Sequence, residues 1–229
     1  MVRPKRFAQQ PDLQAAIKAT AWKQIAEFGA PTLSLRAIAR ELGITAPAIY
    51  NYFPRRDDLV TALIIDAYTS FGDSQFEARD ALSPDDHAGR LAAIGKAYRT
   101  WALAYPQRYQ LIFGTPLPNY EAPLEKVLPS AARSLSGLVS VVEALRLAGK
   151  LKAGDFPPVA PEYEASFAMW KNYGGEVDIL SLSVAVLIWS QVHGLVSLEI
   201  AGNLPPFGMD GDGLYLYELE MLKAQFIKE

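Results

Sequence analysis

The stretch SLRAIARELGITAPAIYNYFPRRDDL, from Ser34 to Leu59, decides the fold. Leu35, Ile38, Ala39 and Leu42 fall at i, i+3, i+4 and i+7, which puts one apolar stripe along a short helix. Ser34 is placed to cap its first turn. Gly43 ends it after two turns, because glycine takes the left-handed conformation past a helix end without strain. Thr45 then stands as the cap of a further helix, and Pro47 lies in its first turn, where no backbone N–H is needed. Ala46, Ile49, Tyr50 and Phe53 repeat the i, i+3, i+4, i+7 spacing. Two short helices joined by Gly43-Ile44-Thr45, with Ile44 plugging the angle between them, make a helix-turn-helix.

Upstream, Leu13, Ile17, Ala21 and Ile25 recur every four residues, so a first helix runs from Asp12 to Phe28, with Asp12 as its cap and Gly29 as its stop. Charge separates this head from the rest. Up to residue 60 there are nine Lys/Arg against five Asp/Glu, a balance of +4, within a chain whose net charge is −3. The remaining residues therefore carry −7. A basic head on an acidic body is the pattern of a polyanion-binding module joined to something else.

The whole run from Ser34 to Leu59 resembles the DNA-binding domain of the TetR family of bacterial transcriptional regulators, through Ile38-Ala39, Leu42-Gly43-Ile44, Ile49-Tyr50, Phe53 and Asp57-Asp58-Leu59. The resemblance implies a DNA-binding domain over residues 1–56, whose third helix enters the major groove. It implies that Thr45, Ala46, Pro47 and Ala48 face bases, where their small apolar surfaces suit thymine methyl groups. Arg36 matches a position that reaches a base in some relatives and is the candidate for guanine O6/N7. Tyr50, Asn51 and Tyr52 match positions that touch phosphate or flanking bases. Arg56 stands where the family often has lysine, and so implies a phosphate contact. Plainer readings stand beside these. Tyr50 shares a stripe with Ile49 and Phe53 and also reads as a core aromatic, while Arg36 and Arg40 also read as solvated helix charges. The Arg3-Lys5-Arg6 arm reads as a disordered tail or as a minor-groove contact.

Residues 57–229 read as an all-helical body, since no stretch alternates with period two. One helix continues from Arg56 to about Arg79 without a flexible linker, so movement at its far end can move the head. Others follow Ser83-Pro84-Asp85-Asp86, run from Pro106 to Phe113-Gly114, reach Ala148-Gly149 past Pro129, and occupy Glu162 to Lys171. The last two span Val177–Ala201 and about Asp212–Lys228, with Asp212 as a cap. The Val177 helix is apolar on most faces and approaches membrane-spanning length. Its scattered serines, Gln191 and His193, and its lack of basic flanks, argue for a buried helix with no membrane span. By resemblance these two helices pair with their mates across a two-fold axis, giving a homodimer able to read a palindromic operator.

Trp189-x-x-x-His193-Gly194 and the run Trp101 to Phe113 are similar to the TetR subgroup named for its Trp-His-Gly C-terminal domain. Trp189 and His193 share a helix face, and two readings of them stand. In one they are a packed aromatic and a hydrogen-bonded core histidine. In the other they face a small-molecule effector with Trp101, Tyr109, Phe113 and Trp170.

Composition excludes much. Half the residues are hydrophobic, which disfavours disorder, and the absence of cysteine removes disulfides and sulfur-ligated zinc. Only His87 and His193 are present, so no histidine cage holds a metal. There is no nucleophile elbow, phosphate loop or dinucleotide glycine pattern. In Asp210-Gly-Asp212-Gly the sixth position of a calcium loop would be Tyr215, where glycine is required. The expectation is a cytoplasmic transcription factor, a ligand-responsive repressor of double-stranded operator DNA, without enzymatic activity, cofactor or metal. Its rivals are a ligand-binding protein or enzyme with a degenerate head, and a partner-binding helical dimer.

Overall fold

The computed structural model describes residues 11–152, 156–205 and 211–228. These residues contain ten α-helices: α1 (Pro11–Phe28), α2 (Leu35–Glu41), α3 (Ala46–Tyr50), α4 (Arg56–Asp80), α5 (His87–Ala104), α6 (Pro106–Phe113), α7 (Leu124–Leu147), α8 (Pro161–Gly174), α9 (Ile179–Ile200) and α10 (Asp212–Phe226). Among the described residues there is no strand, only an isolated bridge between Leu151 and Ile227. The all-α expectation therefore holds. The chain divides into two compact units, Met1–Ala67 with Gln107–Lys126, and Tyr68–Pro106 with Val127–Glu229. The 25-residue helix α4 belongs to both.

In the first unit the expected stripes meet. Ile17, Ala21 and Ile25 of α1, Leu35, Ile38 and Ala39 of α2, Ile49 of α3, Phe53, and Leu59, Val60 and Leu63 of α4 are all buried. Ser34 caps α2 through its hydroxyl, which accepts from the Ala37 N–H at 3.4 Å. Gly43 adopts φ +63. Its N–H donates to the Arg40 carbonyl at 3.2 Å, and the Ile44 N–H donates to the Ala39 carbonyl at 2.9 Å. These are the paired bonds of a Schellman turn, which needs a residue free of Cβ strain at Gly43. The third helix is shorter than its stripe suggests. It ends at Tyr50, and of the four stripe positions only Ile49 and Phe53 are buried. Thr45 occupies the N-cap by backbone conformation, but its side chain makes no capping bond.

The second unit carries a part-buried ion cluster that joins three helices. Arg99 of α5 donates from Nε and Nη2 to the Glu199 carboxylate of α9 at 2.7 and 2.6 Å. Its Nη1 meets Asp212, the first residue of α10. Asp212 was expected to cap that helix; Gly211 holds the cap position instead, and the Asp212 carboxylate is drawn to the guanidinium. Two charge-assisted partners hold the Arg99 guanidinium above its usual range. The Tyr215 hydroxyl donates to the Gly95 carbonyl, adding a second tie between α10 and α5. Pro129 falls inside α7 without ending it, and Gly149 closes that helix with the same left-handed turn as Gly43. The cap Asp12, the arm Arg3-Lys5-Arg6 and Asp210 lie outside the residues whose side chains are described.

Arg99 and Glu199 side chains are each only 14% exposed, so removing one strands the other's charge. Arg99→Ala is expected to cost about 3 kcal/mol of unfolding free energy. Urea denaturation of both proteins checks this, and a loss well under 1 kcal/mol would show the cluster to be solvated.

Candidate nucleic-acid interface

The turn at Gly43 aims the start of α3 outward. Thr45, Ala46 and Pro47 are exposed and Ala48 is half-buried, so the N-terminal turn of α3 shows small apolar surface and the free Thr45 side chain. Arg36 and Arg40 are exposed on α2. Tyr50, at 38% exposure, is a surface aromatic, not part of the core. Asn51 is exposed and Tyr52 half-buried in the turn after α3. The structure thus brings Thr45, Ala46, Pro47, Tyr50 and Asn51 to the surface within one short helix and its end. The row of small side chains admits close approach of a major-groove edge, and two exposed arginines on the preceding helix supply positive charge.

The two arginines before α4 differ sharply. Arg55 has a side chain 74% exposed and forms a two-pronged pair with Asp58. The Asp58 carboxylate also accepts the Arg55 backbone N–H at 3.0 Å, which closes the start of α4 in capping-box fashion. These bonds hold the Asp58 carboxyl below its ordinary range. Arg56 turns the other way. Its Nε donates to the Leu33 carbonyl at 3.2 Å, and its Nη2 donates to the carbonyls of Ala30 at 3.1 Å and Pro31 at 3.3 Å. No sequence spacing announces bonds across 23 to 26 residues.

The aromatic residues expected at an effector site divide between the units. Trp101, Trp189 and His193 belong to the second and are linked through two residues outside the expected effector set, Phe71 and Tyr98. Phe71 packs against Trp101 at 5.0 Å and edge-on to Tyr98 at 4.8 Å. The Tyr98 hydroxyl shares a 2.8 Å hydrogen bond with His193 Nδ1, and Trp189 stacks on the imidazole at 4.7 Å. Trp101 is buried and donates its indole N–H to Ser70 at 3.0 Å. Trp170 is on α8, its indole lying over Gly174, where any Cβ would overlap the ring. Tyr109 and Phe113 pack on each other, 5.1 Å apart, in the first unit. Among the described residues no group of three or more acidic or histidine side chains gathers as a metal site.

Comparison with known proteins covers both parts of the chain. Residues 17–63 match the family described as bacterial regulatory proteins, tetR family. Residues 91–222 match the family described as tetracyclin repressor-like, C-terminal domain. The HTH-type transcriptional regulator Rv1816 of Mycobacterium tuberculosis is 34% identical over 201 residues, spanning 87% of this chain and 85% of that protein. The crystal structure of the regulatory protein SCO4313 is similar with a TM-score of 0.75 and 37% identity, over 93% of this chain and 96% of that one. A transcriptional regulator from Saccharomonospora viridis, solved in complex with choline, shares the fold at a TM-score of 0.68 and 15% identity, over 96% of this chain and 100% of that one.

Burial pushes the His193 imidazole below its ordinary value of 6.5. The unfolded chain then binds a proton in a range where the folded one does not, so stability is full above 6.5 and falls as the pH drops below it. Unfolding free energies measured between pH 7.5 and about 5.5 are expected to show this decline, and His193→Gln is expected to flatten it. An unchanged slope in that variant would assign the decline to other groups.

Proposed function

This chain belongs to the TetR family of bacterial regulatory proteins, as a DNA-binding transcriptional regulator, and we propose that it acts as a ligand-responsive repressor that binds a palindromic operator as a homodimer. The observation that carries the reading is the exposed first turn of α3, aimed by the left-handed Gly43. On this reading Thr45, Ala46, Pro47 and Ala48 meet base edges and Arg36 reaches a guanine. Tyr50, Asn51 and Tyr52 meet phosphates and flanking bases. The relatives named above are transcriptional regulators, which favours regulation over catalysis.

Two further observations support the dimer and the effector. Helix α9 is long and apolar enough to cross a membrane, yet only 44% of its apolar window is buried within one copy. Leu187 and Leu198 are exposed on one of its faces, with Gly194 between them opening onto space where a Cβ would meet nothing. On α10, Leu214, Tyr217 and Met221 lie exposed at i, i+3 and i+7. A second copy laid on these faces removes them from water, which accounts for the apolar helix without a bilayer. In the second unit the Trp170 indole nitrogen is buried with no hydrogen-bond partner among the described residues. An acceptor on an effector would offset that desolvation cost. The aromatic chain of Trp101, Trp189 and His193, with Trp170, makes up the proposed effector site within the second unit, and Tyr109 and Phe113, which belong to the first unit, are left out of it. An effector releases DNA only by binding one of two head arrangements more tightly than the other. A repressor of this kind works in the cytoplasm, where the operator is.

Fluorescence anisotropy on DNA from upstream of the protein's own gene, against scrambled DNA, tests the reading. Binding that prefers the native DNA and weakens steeply between 50 and 200 mM salt, on the order of a thousandfold, is expected. Arg36→Ala is expected to lose about 1–3 kcal/mol on the native DNA only. Equal weak binding to both DNAs, unaltered by Arg36→Ala, would contradict it. Leu187→Glu with Leu198→Glu is expected to sediment as a monomer of 25.1 kDa and to lose DNA binding; a persistent dimer would move the interface elsewhere.

A further inference from the structure

We propose that Arg56 is a positioning residue that fastens the helix-turn-helix to the first turn of α4, and that it is not a phosphate contact; this rests on the DNA-binding reading above. Three guanidinium bonds go to the carbonyls of Ala30, Pro31 and Leu33, at 3.1, 3.3 and 3.2 Å. The remaining Nη1 faces Asp57 at 3.5 Å. The side chain is 28% exposed, against 74% for its neighbour Arg55. A DNA phosphate approaching Arg56 would have to displace carbonyls already in place and pass beside a carboxylate. Both oppose the contact.

The three carbonyls matter because of where they are. Ala30–Thr32 form the single 3-10 turn between α1 and α2, and Leu33 immediately precedes the Ser34 cap of α2. The end of this turn sets where α2 starts. Helix α2 in turn sets α3 through the paired bonds at Gly43 and Ile44. Arg56 therefore grips the chain at the entry to the DNA-reading helices. A planar guanidinium reaches several carbonyls at once with donors at fixed angles, whereas an ammonium carries the same charge without that geometry.

Other contacts tie the first unit together. Lys18 of α1 pairs with Asp66 at 2.6 Å. The Thr61 hydroxyl shares a 3.0 Å hydrogen bond with Tyr120, and Arg108 lies 5.2 Å above the Trp22 ring. These ties join α1, the early turns of α4 and the 107–126 segment. Arg56 extends the grip to the turn that leads into α2.

The test compares wild type, Arg56→Lys and Arg56→Ala as full-length proteins, each checked for native helix content. In DNA-free protein, amide exchange at Thr32 and Leu33, whose N–H groups bond within the turn, is expected to quicken about tenfold in both variants. On native upstream DNA both variants are expected to bind about tenfold or more weaker than wild type. The slope of log affinity against log salt should stay unchanged, since no phosphate contact is lost. Lysine rescue of affinity, together with a slope reduced by about one in Arg56→Ala, would make Arg56 a phosphate contact and overturn the proposal. Unchanged exchange at Thr32 and Leu33 would overturn it as well. A wild-type protein with no preference for its DNA would defeat the DNA-binding reading alone, and amide exchange at Thr32 and Leu33 would still decide whether the fork holds the turn.

Discussion

At Gly43 the backbone turns left-handed, and the two amides that follow α2 close onto its last carbonyls. Everything the head presents depends on that reversal. It fixes the angle at which α3 leaves α2 and turns Ile49 inward beside Ile38 and Phe53, which leaves Thr45, Ala46 and Pro47 outside. A side chain at this φ would strain the backbone, and relief of the strain would swing α3. The chemistry of the exposed turn is therefore a consequence of geometry made two residues earlier.

The two units are held by different physics. In the head, apolar burial dominates. Ile17, Ile38, Ile49, Leu59 and Leu63 are fully buried, each worth roughly 1.5–3 kcal/mol, whereas an exposed pair such as Arg55–Asp58 is screened by solvent and adds little. Its polar bonds choose directions more than they add stability, as the Ser34 cap and the Arg56 fork show. In the second unit a part-buried ion cluster joins three helices at Arg99. That cluster sets the start of α10 against α5 and α9. The same α9 and α10 carry the exposed leucines proposed to meet a second copy, so its electrostatics and the assembly share their elements.

Local signals were legible in the chain and distant ones were not. The cap at Ser34, the stop at Gly43, the ends of α4 and α6 and the closure at Gly149 all follow from residues within a few positions of the feature they produce. The stripe through Ile49 and Phe53 overstated α3, because period alone does not tell a continuing helix from a turn that returns a buried aromatic. Asp212 looked like a cap because aspartate favours that place; Arg99, 113 positions earlier in the chain, claims it instead. The pairing of Phe71 and Tyr98 with Trp101 and His193 was illegible for the same reason. Nothing near Tyr98 announces a histidine 95 residues away. Family resemblance implied DNA-facing positions and a phosphate contact for Arg56, and it had no means of foreseeing that the fork bonds to backbone carbonyls, which carry no side-chain identity.

The central claim is that two copies of α3 enter the major groove on one face of the DNA. Dimethyl sulfate methylates guanine at N7 in the major groove, so a methylation-protection experiment on the DNA upstream of this protein's gene tests it most directly. The account predicts protected guanines in two symmetry-related clusters, roughly 34–36 Å or a multiple of that apart along the duplex. Guanines left fully reactive under saturating protein, with protection confined to the minor groove or absent, would contradict it.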